Sequence, residues 1–415
     1  MYEFLKMNET HLHDMTRLQL EAFPGFAQST TFEQYAERVK DTNSRPDVDY
    51  YCVFKNNKLV GGFNTWDFDM NMRRHMLKAG GIGSVAVDLG YKKEKVCFEI
   101  VRHFLNSLRA NGVSVAMLYP FNSGFYHKMG FGFGTLLQQF RIKPNALPGG
   151  GTKSHIIRLD ESHAEKLTEF YNSRVSLTHG LITKRTSEFA TRLKAPINKI
   201  FAYAAPCGDI RGYIVFQFRK GSDESSLVND IAVNELLFDS PEVFAELMEF
   251  IKSQSDQIRY VIYNTQDEGF INTIADPRNH MERMLFPVYQ EVCRTGLGIM
   301  YRICDVQLFF AEIANCRFGD LNMKLKININ DSLISENNRA LLLEFNGGYG
   351  RLAENIIPDT ELSIDIAELS SLMMGCANLK SLVKYGKAAI SNESELDVLS
   401  RSFSLDEKPI CLTYF

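Results

Sequence analysis

The residues best suited to chemistry lie between Val85 and Phe104. A strand ending in Val85-Ala86-Val87 meets a charged loop, Lys92-Lys93-Glu94-Lys95, and the loop opens a long helix from about Lys95 to Asn111. Ile100, Val101, Phe104, Leu105 and Leu108 fall on one face of that helix. A strand–loop–helix transition aims backbone N–H groups and the positive end of a helix dipole at one point, which suits a pyrophosphate. Lys92, Lys93 and Lys95 bring positive charge to the same place. A second segment, Leu118–Thr135, reads LYPFNSGFYHKMGFGFGT. It holds a strand end, Phe121-Asn122, a short helix carrying Tyr126, and then Met129-Gly130-Phe131.

Composition bounds what such residues can belong to. The chain has 415 residues, 45% of them hydrophobic, and Lys plus Arg (46) nearly balances Asp plus Glu (50), for a net charge of −4. A nucleic-acid binder usually shows a basic excess, so nucleic acid is not an expected partner. No stretch approaches the ~18 apolar residues of a membrane span, and no membrane partner is expected. Met1–Leu20 lacks the apolar core and cleavage site of a signal peptide, so a cytoplasmic protein is expected. The eight cysteines include no C-x-x-C pair and the nine histidines no H-E-x-x-H, so no metal is expected.

The elements that must position these residues fall into three blocks. In the first, Tyr2–Met7 reads as a strand and His11–Ala22 as a helix, with Leu12, Met15, Leu18 and Ala22 at helical spacing. Thr31–Asp41 is a second helix. Tyr50–Lys55 and Lys58–Met70 form a hairpin about Asn56-Asn57. Ser114–Tyr119 is a short strand, and a last hairpin to Lys143 closes the block. The linker Pro144–Gly151 follows. The second block repeats the order: strand, helices, hairpin, a strand at Leu227–Val233, a helix at Pro241–Ser253 and a strand at Tyr260–Tyr263, as expected of an internal duplication. The third opens with a strand at Ile299–Val306 and includes the alternating strand Met323–Ile329 and a helix at Ala367–Met374 stopped by Gly375. The expected domains are 1–150, 151–290 and 291–415. The end, Ile410–Phe415, is apolar to the last residue and should be buried.

Val85-Ala86-Val87 and the run around Tyr126 resemble the acetyl-CoA-binding N-acetyltransferase (GNAT) superfamily. The resemblance implies that the main chain of Val85, Ala86 and Val87 pairs with the pantetheine arm. It implies a diphosphate site at Lys92, Lys93, Glu94, Lys95, Val96, Cys97 and Phe98, where the usual loop is basic-x-x-Gly-x-Gly. Lys95 and Cys97 stand where glycines are usual, and glycine is what lets a backbone come close to a phosphate. Phe121 and Asn122 are implied beside the thioester, and Tyr126 beside the cofactor sulfur. A phenol with pKa near ~10 can protonate a departing thiolate, which makes Tyr126 the expected general acid.

The order of blocks, with Met300–Val306, Leu362–Gly375 and the aromatic terminus, is similar to the enhanced intracellular survival (Eis) family. The fold class implied is α/β (α+β): two tandem GNAT-like mixed-sheet domains, then a sterol-carrier-protein-2-like α/β domain. The activity implied is direct transfer of acetyl from acetyl-CoA, as co-substrate, to a primary amine on a small molecule or peptide. The C-terminal carboxylate, here on Phe415, is the implied general base. An amine is an ammonium ion at pH 7 and must lose a proton; an exposed α-carboxyl, with pKa about 3.3–3.7, is a poor base that burial improves. The second domain lacks the basic loop and the tyrosine motif and reads as structural. The resemblance also implies a homo-oligomer, with a hexamer as the form it suggests.

Phe26, Trp66, Phe68 and Tyr414 are the expected lining of the substrate pocket. Asp67 and Asp69 alternate with Trp66 and Phe68, so acids and aromatics face opposite sides of their strand. Glu21–Phe26 offers one acid among apolar groups, which argues against an aminoglycoside acceptor. The rival expectation is a non-catalytic protein that binds an acyl-CoA or an apolar ligand.

Overall fold

The computed structural model describes residues 1–280, 284–286 and 288–415. Its first sheet grows from the hairpin of β2 (Val48–Lys55) and β3 (Lys58–Met72). Asn56 and Asn57 both take positive φ, 51° and 59°, as a two-residue turn between twisted strands requires. β1 (Glu3–Lys6) pairs with β2, and β4 (His75–Val87) pairs with β3. A side chain at Gly62 would meet Met15 and Leu18 of α1 (Leu12–Ala22). One at Gly61 would meet Val96 and Ile100 of the long helix Val96–Ala110. The two helices therefore cover opposite faces of the sheet. Two further helices, α2 (Pro24–Ala27) and α3 (Phe32–Asn43), lie between α1 and β2 in sequence, and Thr31 and Gln34 close a capping box on α3. The long helix, α4, buries Val96, Ile100, Val101, Phe104, Leu105 and Leu108, the stripe its spacing predicts.

β5 (Val115–Leu118) joins β4 in parallel, but only along Ala79–Gly81 against Val115–Met117. Beyond Gly81, β4 runs on to Val87 with β3 alone as its partner, so the two strands part. α5 (Ser123–His127) and β6 (Gly132–Phe133) follow. The strand Met300–Ile303 then fills the place between β5 and β6, antiparallel to both. Read along the chain, Ile299–Val306 opens the third block and a hairpin to Lys143 closes the first. Both strands instead pair elsewhere. Leu136–Ile142 lies between Ile258–Thr265 and Cys293–Leu297 in the second sheet. Apolar patterning marks a buried strand but not its partner, and here each strand sits beside a parallel pair.

The chain forms two compact units. One comprises residues 1–134, 299–406 and 413–415; the other comprises 135–298 and 407–412. The second unit holds a seven-stranded sheet with the parallel pair Asn229–Phe238 and Ile258–Thr265, covered on one face by the helix Pro241–Lys252. Within the first unit, a five-stranded sheet runs Tyr349–Leu352, Ala340–Asn346, Met323–Asn330, Thr360–Asp365, Ala388–Ile390. The helix Ile366–Met373 has all eight residues buried, against this sheet, the strand Met300–Ile303 and β6. The fold class is mixed α/β, as expected.

Candidate active site

The end of β4 departs from regular strand. Ser84 has φ of 50°, and the pairing with β3 slips between Gly62 and Asn64. Val85, Ala86 and Val87 follow, with Ala86 buried and β3 on one side only. A turn at Leu89–Tyr91, capped by the Asp88 carboxylate, leads into the loop. Lys93 and Lys95 both adopt the left-handed conformation, with φ of 68° and 64°. Lys95 is the residue just before α4. The glycine is replaced, but the glycine-type backbone is kept, at a cost of about 1 kcal/mol for a residue with a Cβ. Glu94 is tied back by Lys55 at 2.7 Å, while Lys92, Lys93 and Lys95 stay exposed. Cys97 and Phe98 lie half-buried in the first turn of α4.

Asn122 starts α5, its side chain accepting the Phe125 N–H at 3.0 Å. That turn buries Tyr126 among the rings of Phe121, Phe125 and Phe131, with centroids 5.8, 5.4 and 6.1 Å away. Phe121 and Asn122 themselves are exposed. The Tyr126 hydroxyl lies beside the Cys97 thiol. Burial pushes the Cys97 thiol up to about 12, so it is a neutral thiol rather than a nucleophilic thiolate. Burial, with Cys97 adding to it, raises the Tyr126 phenol far above the ordinary tyrosine value, so it keeps its proton.

The chain terminus lies against β4, at Gly81 and Gly83. The Phe415 ring packs between Phe68 and Tyr119, with centroids at 5.0 and 5.3 Å, and Trp66 is 6.4 Å away. A Cβ on Gly81 would come within 2.8 Å of the Phe415 ring, and one on Gly83 within 3.2 Å of its terminal carboxyl carbon. These two positions thus admit the terminus because they carry no side chain. Tyr119 donates its hydroxyl to the Thr413 carbonyl at 3.0 Å and stacks on Tyr414 at 5.6 Å. The Trp66 indole N–H donates to Asn64 Oδ1 at 3.2 Å, and the Arg45 guanidinium lies 5.0 Å from its ring. Burial raises the pKa of the Tyr50 hydroxyl, which lies near Asn64 and Ser84.

Of the pocket residues expected from the sequence, Trp66 and Phe68 meet Phe415, and Tyr414 meets Tyr119. Phe26 is exposed, and its ring neighbours are Phe23 and Tyr35. Asp69 pairs with Lys78 at 2.7 Å. Sequence reasoning missed Tyr50, Asn64, Ser84, Tyr119, Gly81 and Gly83. One signal was present: Gly80-Gly81-Ile82-Gly83 is a glycine-rich run inside a strand, which marks a close approach.

Three family models match the chain. A model described as an acetyltransferase (GNAT) domain covers residues 3–134, and a second acetyltransferase (GNAT) model covers 180–303. A sterol carrier protein domain covers 309–412. No protein of curated function matches by sequence. Among solved structures, a GCN5-related N-acetyltransferase from Anabaena variabilis aligns over 100% of both chains at 16% identity, with a TM-score of 0.81. One from Kribbella flavida covers 100% of this chain and 98% of its own at 19% identity, with a TM-score of 0.77. Eis1 from Mycobacterium abscessus aligns over 100% of both chains at 16% identity and a TM-score of 0.78. The chain is an acetyltransferase of the GNAT class, carrying two GNAT domains and a sterol carrier protein domain. In whole-chain fold it is Eis-like. No helix among the described residues is long and apolar enough to cross a membrane.

Proposed function

We propose that this enzyme transfers acetyl from acetyl-CoA directly to a primary amine on a small molecule or peptide, in the first GNAT domain. The observation that carries the reading is the terminal carboxyl of Phe415 seated on Gly83, beside the gap between β4 and β5. The residues present fit the cofactor. β4 leaves the main-chain groups of Val85–Val87 without a β5 partner, free to bond an extended amide chain. The left-handed backbone at Lys95 and the exposed Lys92, Lys93 and Lys95 suit a diphosphate at the start of α4. Acetyl-CoA supplies the activated acetyl group as a thioester.

In this reading the Phe415 carboxylate takes a proton from the acceptor ammonium, and the Tyr126 hydroxyl gives one to the leaving sulfur. Tyr126 holds its proton at neutral pH, and its raised pKa makes it a weaker donor than a free phenol. Trp66, Phe68 and Tyr414, with Phe26 at the rim, line the acceptor side. We further infer a cytoplasmic homo-oligomer, on the strength of the Eis-like architecture. The test is thiol release from acetyl-CoA across a panel of primary amines. Tyr126→Phe, or a tag fused after Phe415, should each remove most of the activity; full activity in both variants would sink the mechanism. Acetyl-CoA at a hundred times its Kd should also stabilise the fold by about 2.7 kcal/mol.

A further inference from the structure

The segment from Tyr126 to Phe133 is held at three points by residues far along the chain, beyond the first GNAT model. The first is Arg302, which is completely buried. One guanidinium nitrogen donates to the Met129 carbonyl, and another donates to both oxygens of Asp331, at 2.8 and 2.7 Å. Asp331 is itself locked by the N–H groups of Leu333 and Ile334 and by the Asn337 side chain. The second is Glu368, on the buried helix Ile366–Met373, whose carboxylate lies 3.3 Å from His127 Nε2. The third is Ser371, one turn further along, which donates to the Phe133 carbonyl at 2.9 Å.

These contacts converge on one residue. The N–H groups of Met129 and Phe131 both return to the Tyr126 carbonyl, at 2.9 and 3.2 Å. His127, the next residue, stacks on Phe133 with centroids 4.8 Å apart. The glycines of the Gly-Phe-Gly run are spacers for the same contacts. Gly130 has φ of 85°, and a Cβ there would fall 1.4 Å from the Arg302 guanidinium. A Cβ at Gly132 would fall 2.2 Å from the Ala367 carbonyl oxygen. Replacing a buried ion pair with apolar groups is often neutral or stabilising, so stability alone is a weak reason for Arg302 and Asp331. Fixing a proton donor is a better one, because small misplacements of a catalytic group lower rate steeply.

We propose that the strand Met300–Ile303 and the sterol carrier protein domain together serve as the positioning frame of the Tyr126 turn, with Arg302, Glu368 and Ser371 as positioning residues for the acid step. This rests on the reading of Tyr126 as the general acid. Arg302→Met would strand the buried Asp331 charge and could unfold the protein, so the test uses Glu368→Gln and Ser371→Ala. Each is made in the full chain, alone and combined with Tyr126→Phe, and melting temperature confirms folding. Alone, each should lower kcat about tenfold with KM for acetyl-CoA unchanged, a coupling of ordinary size for residues in one network. Combined with Tyr126→Phe, each should add less than about a twofold loss, because the group being positioned is already gone. Equal losses in both backgrounds, or no loss in either, would overturn the positioning role while leaving Tyr126 as the acid. A fully active Tyr126→Phe enzyme would overturn the acid assignment itself, and this proposal with it.

Discussion

The two GNAT sheets follow one plan and differ where it becomes irregular. In the first, β4 parts from β5 after Gly81↔Met117, Ser84, Lys93 and Lys95 take positive φ, and Phe415 lies at the opening. In the second, the parallel pair Asn229–Phe238 and Ile258–Thr265 parts as well, after Val233↔Tyr263, and Glu235–Phe238 run on with only the strand Ile210–Lys220 beside them. Among the described residues, none from 229 to 265 has positive φ. The next helix starts at once, with Ser240 as cap and Pro241 at its first position. Where α5 presents Tyr126 after β5, the short turn after Ile258–Thr265 presents Phe270, buried on Phe140 and Tyr263. The second sheet also buries Glu235, with Lys184 at 3.0 Å and with Arg192 and Tyr213. The fold alone does not make the site. The proposed site lies in the strained loop and in the turn after β5, and the second copy has traded these for packing.

Exchanging the residues after the strands tests this contrast most strongly. Tyr126→Phe should lower kcat by about 10²–10³-fold in the amine-dependent thiol assay, the ordinary worth of a general acid. Phe270→Tyr should leave turnover unchanged. A loss from both would mean that the second copy takes part in catalysis.

Next comes Glu235, which sharpens the structural reading of the second unit. Burial pushes its carboxyl up, but Lys184 and Arg192 more than offset this and hold it at about 2. Its folded pKa is depressed, so its stabilising contribution is complete above the ordinary carboxylate value. That contribution drains away as pH falls from about 4.5 toward 2. Glu235→Gln leaves the buried Lys184 and the half-buried Arg192 without their carboxylate and should cost about 3–5 kcal/mol at pH 7, read by denaturant melts. The gap to the wild-type protein should narrow as the pH approaches 2.

Smaller effects probe the first sheet. Gly83→Ala puts a methyl within 3.2 Å of the Phe415 carboxyl carbon, so it should lower kcat about tenfold by shifting the base. Unchanged kinetics would show that the terminus is not held at β4. Lys95→Gly restores an unstrained left-handed position and should raise stability by up to about 1 kcal/mol while acetyl-CoA still binds. A drop in stability would mean that Lys95 is held there by contacts rather than tolerated.

The sequence alone specified the local elements, because short-range rules govern them. The α4 stripe, the Asn56-Asn57 turn, the capped helices and the Tyr126 turn all follow from spacing and residue type. The apolar terminus was legible as a segment needing burial, though not as a partner of Gly81 and Gly83. Only tertiary structure decided the rest. It placed Met300–Ile303 in the first sheet and Leu136–Ile142 in the second, because an apolar strand matches many edges and its partner is chosen by which edge the fold leaves open. It kept a glycine-type backbone at Lys95 despite the side chain. It also brought Tyr50, Asn64, Ser84 and Tyr119 around the terminus, and Arg302, Glu368 and Ser371 onto the Tyr126 turn. Contacts between residues up to hundreds of positions apart leave no local pattern, since what selects them is the shape of the folded surface.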